Sequence, residues 1–267
     1  MTVGSNSIKN TAKAALKGNY TSAIISGLIL VFCALIIIYV SSLTEIFAGS
    51  LFSEIFYLVL SLFLLFPLSV GVLRFFWRMI LGCDDNPVSV FYYFSAKTLY
   101  FKAMKFFFAI AIKLIPIAII LFLPVLFVWL LSQSYFYEFL NMPIPLWSGN
   151  LSYAILFART LATVILVMYA LRYYVAPMLF VADEEIDAAE ALHMSSVISK
   201  KTMLDFIYLI FSFAGWIILS VFAIPLFYTL PYLITSYAVH IRFIITEYNQ
   251  HIENTAEQQY PSFSVGA

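Results

Sequence analysis

The chain has 267 residues, of which 63% are hydrophobic and only 10% are charged. An ordinary soluble domain carries roughly 25% charged residues, so this composition excludes a water-soluble globular protein and indicates helices embedded in lipid. Fourteen Lys and Arg residues balance fourteen Asp and Glu residues. Because the net charge is zero, no general basic field attracts nucleic acid, and we expect no nucleic-acid partner.

The Lys and Arg residues are distributed unevenly among the polar segments that separate the apolar runs. Residues 44–54, 132–151 and 225–232 contain none. The segments that alternate with these hold thirteen of the fourteen: Lys9, Lys13, Lys17, Arg74, Arg78, Lys97, Lys102, Lys105, Lys113, Arg172, Lys200, Lys201 and Arg242. Cytoplasmic loops of membrane proteins are enriched in Lys and Arg. The pattern therefore predicts an all-α, polytopic transmembrane helix bundle with about six spans and both termini in the cytoplasm.

The apolar runs predict one integral membrane domain over residues 1–248. Its spans, in chain order, cover about residues 21–43, 55–73, 108–131, 152–181, 204–224 and 229–246. The sixth is polar for a membrane helix, so the last two segments form either two spans or a shallow hairpin that does not cross the bilayer. The polar tail over residues 249–267 is predicted to be disordered in the cytoplasm.

Polar segments between the spans predict helices on the cytoplasmic surface. Residues 8–20 have the pattern of a short basic amphipathic helix. In the segment 88–105, three lysines fall within one arc of about 140°, as in a helix lying on the membrane. Residues 185–200 are acidic at the start and basic at the end, an order that complements the helix dipole. The last two segments are the predicted interfacial helices that flank the bundle.

Sequence signatures of catalysis are missing. There is no phosphate-binding glycine loop, no zinc-protease motif and no nucleophile elbow. Glu190 and His193 have the spacing of two metal ligands on one helix face, but a di-metal site needs a second copy, and the chain has none. Cys33 and Cys83 offer no disulfide framework. We expect no enzymatic activity, no cofactor and no bound metal.

Arg159 is the one basic residue outside the cytoplasmic segments, and it lies inside the fourth predicted span. It is about seven residues from the outer end of the span, and hence roughly 10 Å deep. An Arg at the centre of a span costs on the order of 2.5–3.5 kcal/mol by insertion scales. Two interpretations are open: the side chain binds an anion or headgroup in a water-filled cavity, or it reaches the outer headgroups and acids of the outer loops.

The sixth predicted span carries a polar stripe. Tyr232, Ser236, His240 and Glu247 project onto one helix face within about 80° of arc. Such a stripe faces the interior of a bundle or a cavity, where His240 would relay protons, or it makes hydrogen bonds between helices. Together with Arg159, the residues Tyr232, Ser236 and His240 are the candidate intramembrane polar site.

A series of short motifs, in a fixed order, covers most of residues 10–245. The motifs are Leu16-Lys17-Gly18-Asn19-Tyr20, Pro67-Leu68-Ser69-Val70-Gly71, Arg172-Tyr173-Tyr174-Val175-Ala176-Pro177, Ala182-Asp183, Ala188-Ala189-Glu190-Ala191 with Ser195 or Ser196, Ser212-Phe213-Ala214-Gly215-Trp216 and Pro231-Tyr232. The chain thereby resembles DUF975, a family of bacterial multi-pass membrane proteins described only as a domain of unknown function. It departs from the family pattern at Val125 and at Ser199-Lys200-Lys201, where glycines are expected. The resemblance implies a six-helix membrane fold and supplies no catalytic residues.

These observations favour a non-enzymatic accessory or scaffold protein of the bacterial cytoplasmic membrane. Its expected partners are membrane lipids and another membrane or cytoplasmic protein, and a homo-oligomer is left open. The alternative is a small transporter or permease-like component for a solute or lipid. The alternative rests on Arg159, on the stripe through His240 and on the prolines that interrupt several predicted helices.

Overall fold

A computed structural model of the chain describes residues 4–83, 85–133, 138, 151–220 and 223–259. Every regular element in this part of the chain is helical. The α-helices are α1 (Ser5–Leu16), α2 (Tyr20–Ala48), α3 (Ser50–Leu60), α4 (Phe66–Ile80), α5 (Lys97–Leu131), α6 (Leu151–Ala170), α7 (Ala176–Ala182), α8 (Ala188–Phe211), α9 (Ala214–Leu219) and α10 (Ala223–Gln259). A π-helical turn (Ser61–Leu65) joins α3 to α4, and 3₁₀ helices cover Pro87–Phe94 and Leu171–Tyr173.

Four helical segments are long and apolar enough to cross a membrane, which confirms the first four predicted spans by length and composition. They are Tyr20–Phe47, Ser50–Ile80, Lys97–Leu131 and Leu151–Ala182. Each reaches or exceeds its predicted bounds. The fifth and sixth spans stay predictions, since in the described residues neither α8 nor α10 is among the helices that meet this criterion.

Proline positions explain the irregular turns of the second span. Pro67 has no N–H to donate to the carbonyl of residue 63, and the π-helical turn ends at Leu65, two residues before it. The Tyr100 hydroxyl of α5 donates to the Phe63 carbonyl at 3.2 Å. The carbonyl freed by the proline therefore obtains a donor from a neighbouring helix, and the second span continues through Pro67.

The two predicted interfacial helices have different bounds in the structure. The segment 88–105 divides at Ala96, whose extended backbone ends the 3₁₀ helix and allows α5 to begin at Lys97. Asn86 caps the 3₁₀ helix by accepting from the N–H of Val88 at 3.1 Å. The second predicted interfacial helix is the first half of α8, which continues without a break to Phe211. The helix predicted near the N-terminus is α1.

The C-terminal helix extends into the segment for which the sequence predicts disorder. α10 runs to Gln259, and residues 260–267 lie outside the described residues. The outer loop predicted between the third and fourth spans also falls largely outside them. The single-domain boundary at residue 248 stays a prediction.

Most of the buried core lies at one end of the bundle, the end that carries α1. The core there is formed by α1, α4, the 3₁₀ helix Pro87–Phe94, the first part of α5 with Ala103 and Phe106, α7, α8 and the stretch of α10 from Tyr232 to Ile244. We call this packed region the basal cluster. By contrast, only 6% of the most apolar window in each of the third and fourth spans is buried. The described part of the chain thus has a well-packed base, from which long, apolar and sparsely packed helices extend.

Candidate functional site

Residues of the motifs that carry the family resemblance take part in three close contacts between elements of the basal cluster, which we call joints. The first such joint lies between α4 and the 3₁₀ helix. A Cβ atom built on Gly71 would lie 1.9 Å from the Val90 carbonyl oxygen and 2.8 Å from the carbonyl carbon. No side chain fits at this distance from a backbone, so only glycine permits the two elements to pack as they do.

The second joint inserts a serine of α8 into the interruption after α6. Pro177 lies at the start of α7, and Ser195 and Ser199 are buried on the face of α8 that packs there. The backbone N–H of Ala176 donates to Ser195 Oγ at 3.1 Å, and Ser195 Oγ donates to the Arg172 carbonyl at 3.2 Å. Ser199 Oγ lies 2.8 Å from the same carbonyl. The hydroxyl groups therefore replace a helical hydrogen bond and fix the direction of α7.

The third joint attaches α1 to the end of α8. Lys9 Nζ donates to the Ser212 carbonyl at 2.8 Å and lies 4.6 Å from the centroid of the Phe213 ring. Ser5 Oγ donates to Ser212 Oγ at 3.1 Å. A lysine at a helix C-terminus binds the last free carbonyl groups and complements the helix dipole. Two segments that are 203 residues apart in sequence are thereby joined.

A charged network closes the edge of the basal cluster. Arg74 Nη2 donates to Glu184 Oε1 at 2.9 Å, and the Tyr92 hydroxyl donates to the same oxygen at 3.2 Å. Arg74 also stacks on the Tyr92 ring, 3.4 Å from its centroid, and Lys102 donates to the Glu184 backbone carbonyl. The hydrogen bond from Arg74 holds the pKa of Glu184 below its ordinary value. This network connects α4, the 3₁₀ helix, α5 and the segment after α7.

A groove of about 650 Å³ lies beside this network and carries charges of both signs. Lys97 and Lys105 lie on its α5 side, and Glu185 and Asp187 lie on the side that precedes α8. These four residues are exposed. We call it the basal groove. It can bind a partner with complementary charges or the headgroups of lipids.

Three of the four predicted site residues lie together inside the basal cluster. Tyr232, Ser236 and His240 are buried on the same face of α10. The His240 ring lies 6.3 Å from the Tyr174 ring and 6.1 Å from the Phe206 ring. Within the described residues, Ser236 Oγ and His240 Nε2 have no hydrogen-bond partner. The ring distances show that the His240 end of the stripe packs against aromatic side chains.

Arg159 lies apart from the stripe. Its side chain is on the exposed surface of α6, a helix that packs chiefly against α5. Its backbone carbonyl accepts from Thr163 Oγ1 at 2.8 Å, which is an interaction within α6. Glu247, the last member of the predicted stripe, is exposed on α10. The structure thus does not bring Arg159 and His240 into one site.

The cavities next to the membrane helices are apolar. One of about 590 Å³ lies between α2, the π-helical turn and α5, and another of about 320 Å³ lies between α8 and α10. In the part of the chain that the structure describes, no three His, Cys, Asp or Glu side chains come together as metal ligands. Glu190 and His193 are exposed on α8. The charged side chains of the basal cluster mainly hold backbone segments together.

Sequence reasoning missed the side chains that make these joints. Ser195 and Ser199 lack a local signal, because their partners are 23 and 27 residues away. Gly71 and Ser195 were part of the motifs that resemble the family, and Lys9 was recognised only as a basic residue. The combination of Pro177 with buried serines on the next helix is the signal that would have indicated the second joint.

Comparison with known proteins gave one match. A family model described as a protein of unknown function (DUF975) matches residues 1–247. No curated protein and no solved structure matches the chain. The match covers all the joints described above.

Proposed function

The chain belongs to the DUF975 family, and from the structure of its basal cluster we propose that it is a non-enzymatic accessory or scaffold protein. It would be a multi-pass protein of the bacterial cytoplasmic membrane, with both termini and the basal cluster on the cytoplasmic side. The observation that supports this proposal most strongly is the concentration of the packed core and the polar joints at the basic end. A protein that acts at the cytoplasmic face needs its rigid surface there.

The basic residues around the basal cluster support the proposed orientation. Lys97 and Lys105 are exposed at the start of α5, and Arg242 donates to the Ile80 carbonyl at 2.8 Å where α4 ends. Basic residues at this end match the cytoplasmic leaflet, whose anionic headgroups attract Lys and Arg. The proposed lipid contacts are therefore with anionic headgroups around the base.

The α5–α6 pair is the proposed surface for contacts within the membrane. Ile112, Ile120 and Leu123 of α5 and Phe157 and Val164 of α6 are among its exposed apolar side chains. In the membrane this surface contacts lipid tails, another membrane protein or a second copy of the chain. The basal groove is the proposed contact for a cytoplasmic partner.

Native mass spectrometry of the tagged protein, extracted from its own membrane in mild detergent, tests the proposal. We expect a second protein in stoichiometric amount. A lone chain or a homo-oligomer that retains a specific solute would contradict the accessory role and favour the transporter.

The transporter remains the second candidate because of the buried polar atoms of α10. Ser236 Oγ and His240 Nε2 have no hydrogen-bond partner among the described residues, so both are available to bond a polar solute. Solute flux in proteoliposomes would then fall in Arg159→Leu and His240→Ala. Unchanged flux in both variants would show that these residues are not the transport site.

A further inference from the structure

We propose that α9 and the first part of α10 form a re-entrant hairpin that enters only the cytoplasmic leaflet and binds its acyl chains. The re-entrant hairpin comprises Ala214–Leu219 of α9 and residues 223–230 of α10. It replaces the fifth and sixth predicted spans, so that the protein crosses the membrane four times. Its surface is an interaction site for lipid hydrocarbon.

Ser212 lies near the middle of the fifth predicted span. In a spanning helix that begins near residue 204, Ser212 would be about 12 Å deep. In the structure its carbonyl oxygen instead accepts a hydrogen bond from Lys9 Nζ at 2.8 Å, and its Oγ accepts one from Ser5 Oγ at 3.1 Å. Both donors belong to α1, the polar helix that precedes the first span. Ser212 therefore lies on the same side of the membrane as α1.

After α9 the chain returns to the side on which α1 lies. Tyr228 stacks on Tyr20, the first residue of α2, with ring centroids 5.2 Å apart. Four residues later, Tyr232 packs against Phe213 at 5.0 Å, and Lys13 of α1 lies 5.7 Å from the Tyr232 ring. The chain thus leaves the α1 side after Phe213 and is back beside Phe213 at Tyr232.

Both arms of the hairpin are too short to cross the bilayer. The six residues of α9 rise about 9 Å, and the helix from Ala223 to Tyr232 rises about 14 Å. The hydrocarbon core of a bilayer is about 30 Å thick. Neither arm crosses more than about half of it.

The chemistry of the surface identifies acyl chains as the occupant. Ile217, Ile218 and Leu219 are exposed on α9, and Leu226 and Phe227 are exposed on α10. Trp216 and Tyr228 pack together nearer the base at 5.5 Å, the aromatic pair expected where a membrane segment meets the headgroups. Lys9 and Lys13 lie beside the base of the hairpin. Exposed apolar side chains on both arms, an aromatic base and adjacent lysines match one leaflet of an anionic membrane.

Single-cysteine labelling of the full-length protein in intact cells tests this proposal. In a Cys33→Ser, Cys83→Ser background, Leu226→Cys is treated with a membrane-impermeant maleimide, and Ser50→Cys between α2 and α3 serves as the exposed control. We expect labelling of Ser50→Cys and none of Leu226→Cys. Labelling of Leu226→Cys as strong as that of Ser50→Cys would overturn the hairpin, because six spans place residues 225–232 outside.

A disulfide cross-link provides an independent check that does not depend on reagent access. Ser5→Cys with Ser212→Cys should form a disulfide when native membranes are mildly oxidised, since the two Oγ atoms are 3.1 Å apart. Ser5→Cys with Ser220→Cys is the control pair, and it should remain reduced because Ser220 lies at the far end of α9. A reduced Ser5–Ser212 pair in membranes would contradict the proposal.

Discussion

The basal cluster and the α5–α6 pair are built on opposite principles, although both are rich in apolar residues. In the basal cluster, Phe106 and Phe180 stack at 4.3 Å and are 1% exposed, whereas Phe157 of α6 is 71% exposed. Lipid accommodates any apolar side chain, so the α5–α6 surface needs only to be apolar. The basal cluster needs particular shapes and hydrogen-bond partners. Composition therefore describes the α5–α6 surface, and individual contacts describe the basal cluster.

The sharpest difference should appear when a phenylalanine is removed from each region. Phe180→Ala leaves a cavity beside Phe106 and should lower the free energy of unfolding by about 3–5 kcal/mol. Phe157→Ala removes a side chain that faces lipid, and its cost should be below about 0.5 kcal/mol. Thermal unfolding of both variants in the same detergent measures the contrast. Equal losses would show that the two regions do not differ in packing.

Gly71→Ala should be nearly as damaging, because its added methyl group collides with the Val90 backbone. Overpacking against a backbone that cannot move costs about 3 kcal/mol. Gly215→Ala in α9 is the matched control, since a Cβ there would meet nothing within 4 Å. We expect a large fall in the unfolding temperature for Gly71→Ala and none for Gly215→Ala. A harmless Gly71→Ala would show that the first joint is not closely packed.

Ser195→Ala should have an intermediate effect. It leaves the Ala176 N–H without its acceptor and removes one donor from the Arg172 carbonyl, at a cost of about 1–3 kcal/mol. Ser196→Ala on the same helix is the control, because the hydrogen bond that Ser196 Oγ donates within the described residues goes to the His193 carbonyl of its own helix. Chemical denaturation in detergent compares the two, and similar losses would contradict the role of Ser195 in the second joint.

Glu184→Gln should have the smallest effect and the clearest pH dependence. Arg74 lowers the pKa of folded Glu184, so its stabilisation is present above the ordinary pKa of about 4.5 and is lost as pH falls through the folded pKa. Since the Glu184 side chain is 63% exposed, the loss at pH 7 should be less than about 1 kcal/mol. Unfolding temperatures of wild type and variant should converge once the pH is below the pKa of folded Glu184. A difference that persists under acid would show that the charge of Glu184 is not the cause.

The sequence predicted the part of the fold that depends on apolar runs. Four candidate spans follow from long, predominantly apolar stretches, and α1 follows from its amphipathic pattern. The sequence also predicted that Tyr232, Ser236 and His240 share a face of α10, since helical periodicity fixes that relation. It did not predict that this face packs against aromatic side chains from distant segments.

The contacts that form the joints of the basal cluster could not be predicted from local sequence patterns. The periodicity of residues 88–105 fits one helix, yet the close approach of Val90 to Gly71 holds Pro87–Phe94 as a separate 3₁₀ helix. The contact of Lys9 with Ser212 joins segments 203 residues apart. Such contacts depend on the folded chain, and no local pattern indicates them.

The central claim is that the basal groove, and not the opposite end of the bundle, binds the partner. Native mass spectrometry of two charge-reversed variants tests it most directly. Glu185→Lys with Asp187→Lys changes two exposed acids at the basal groove. Glu45→Lys with Glu54→Lys changes two exposed acids near the end of α2 and the start of α3, away from the basal groove. We predict that the first variant loses the co-purified protein and that the second retains it. Loss of the partner only in the second variant would contradict the account.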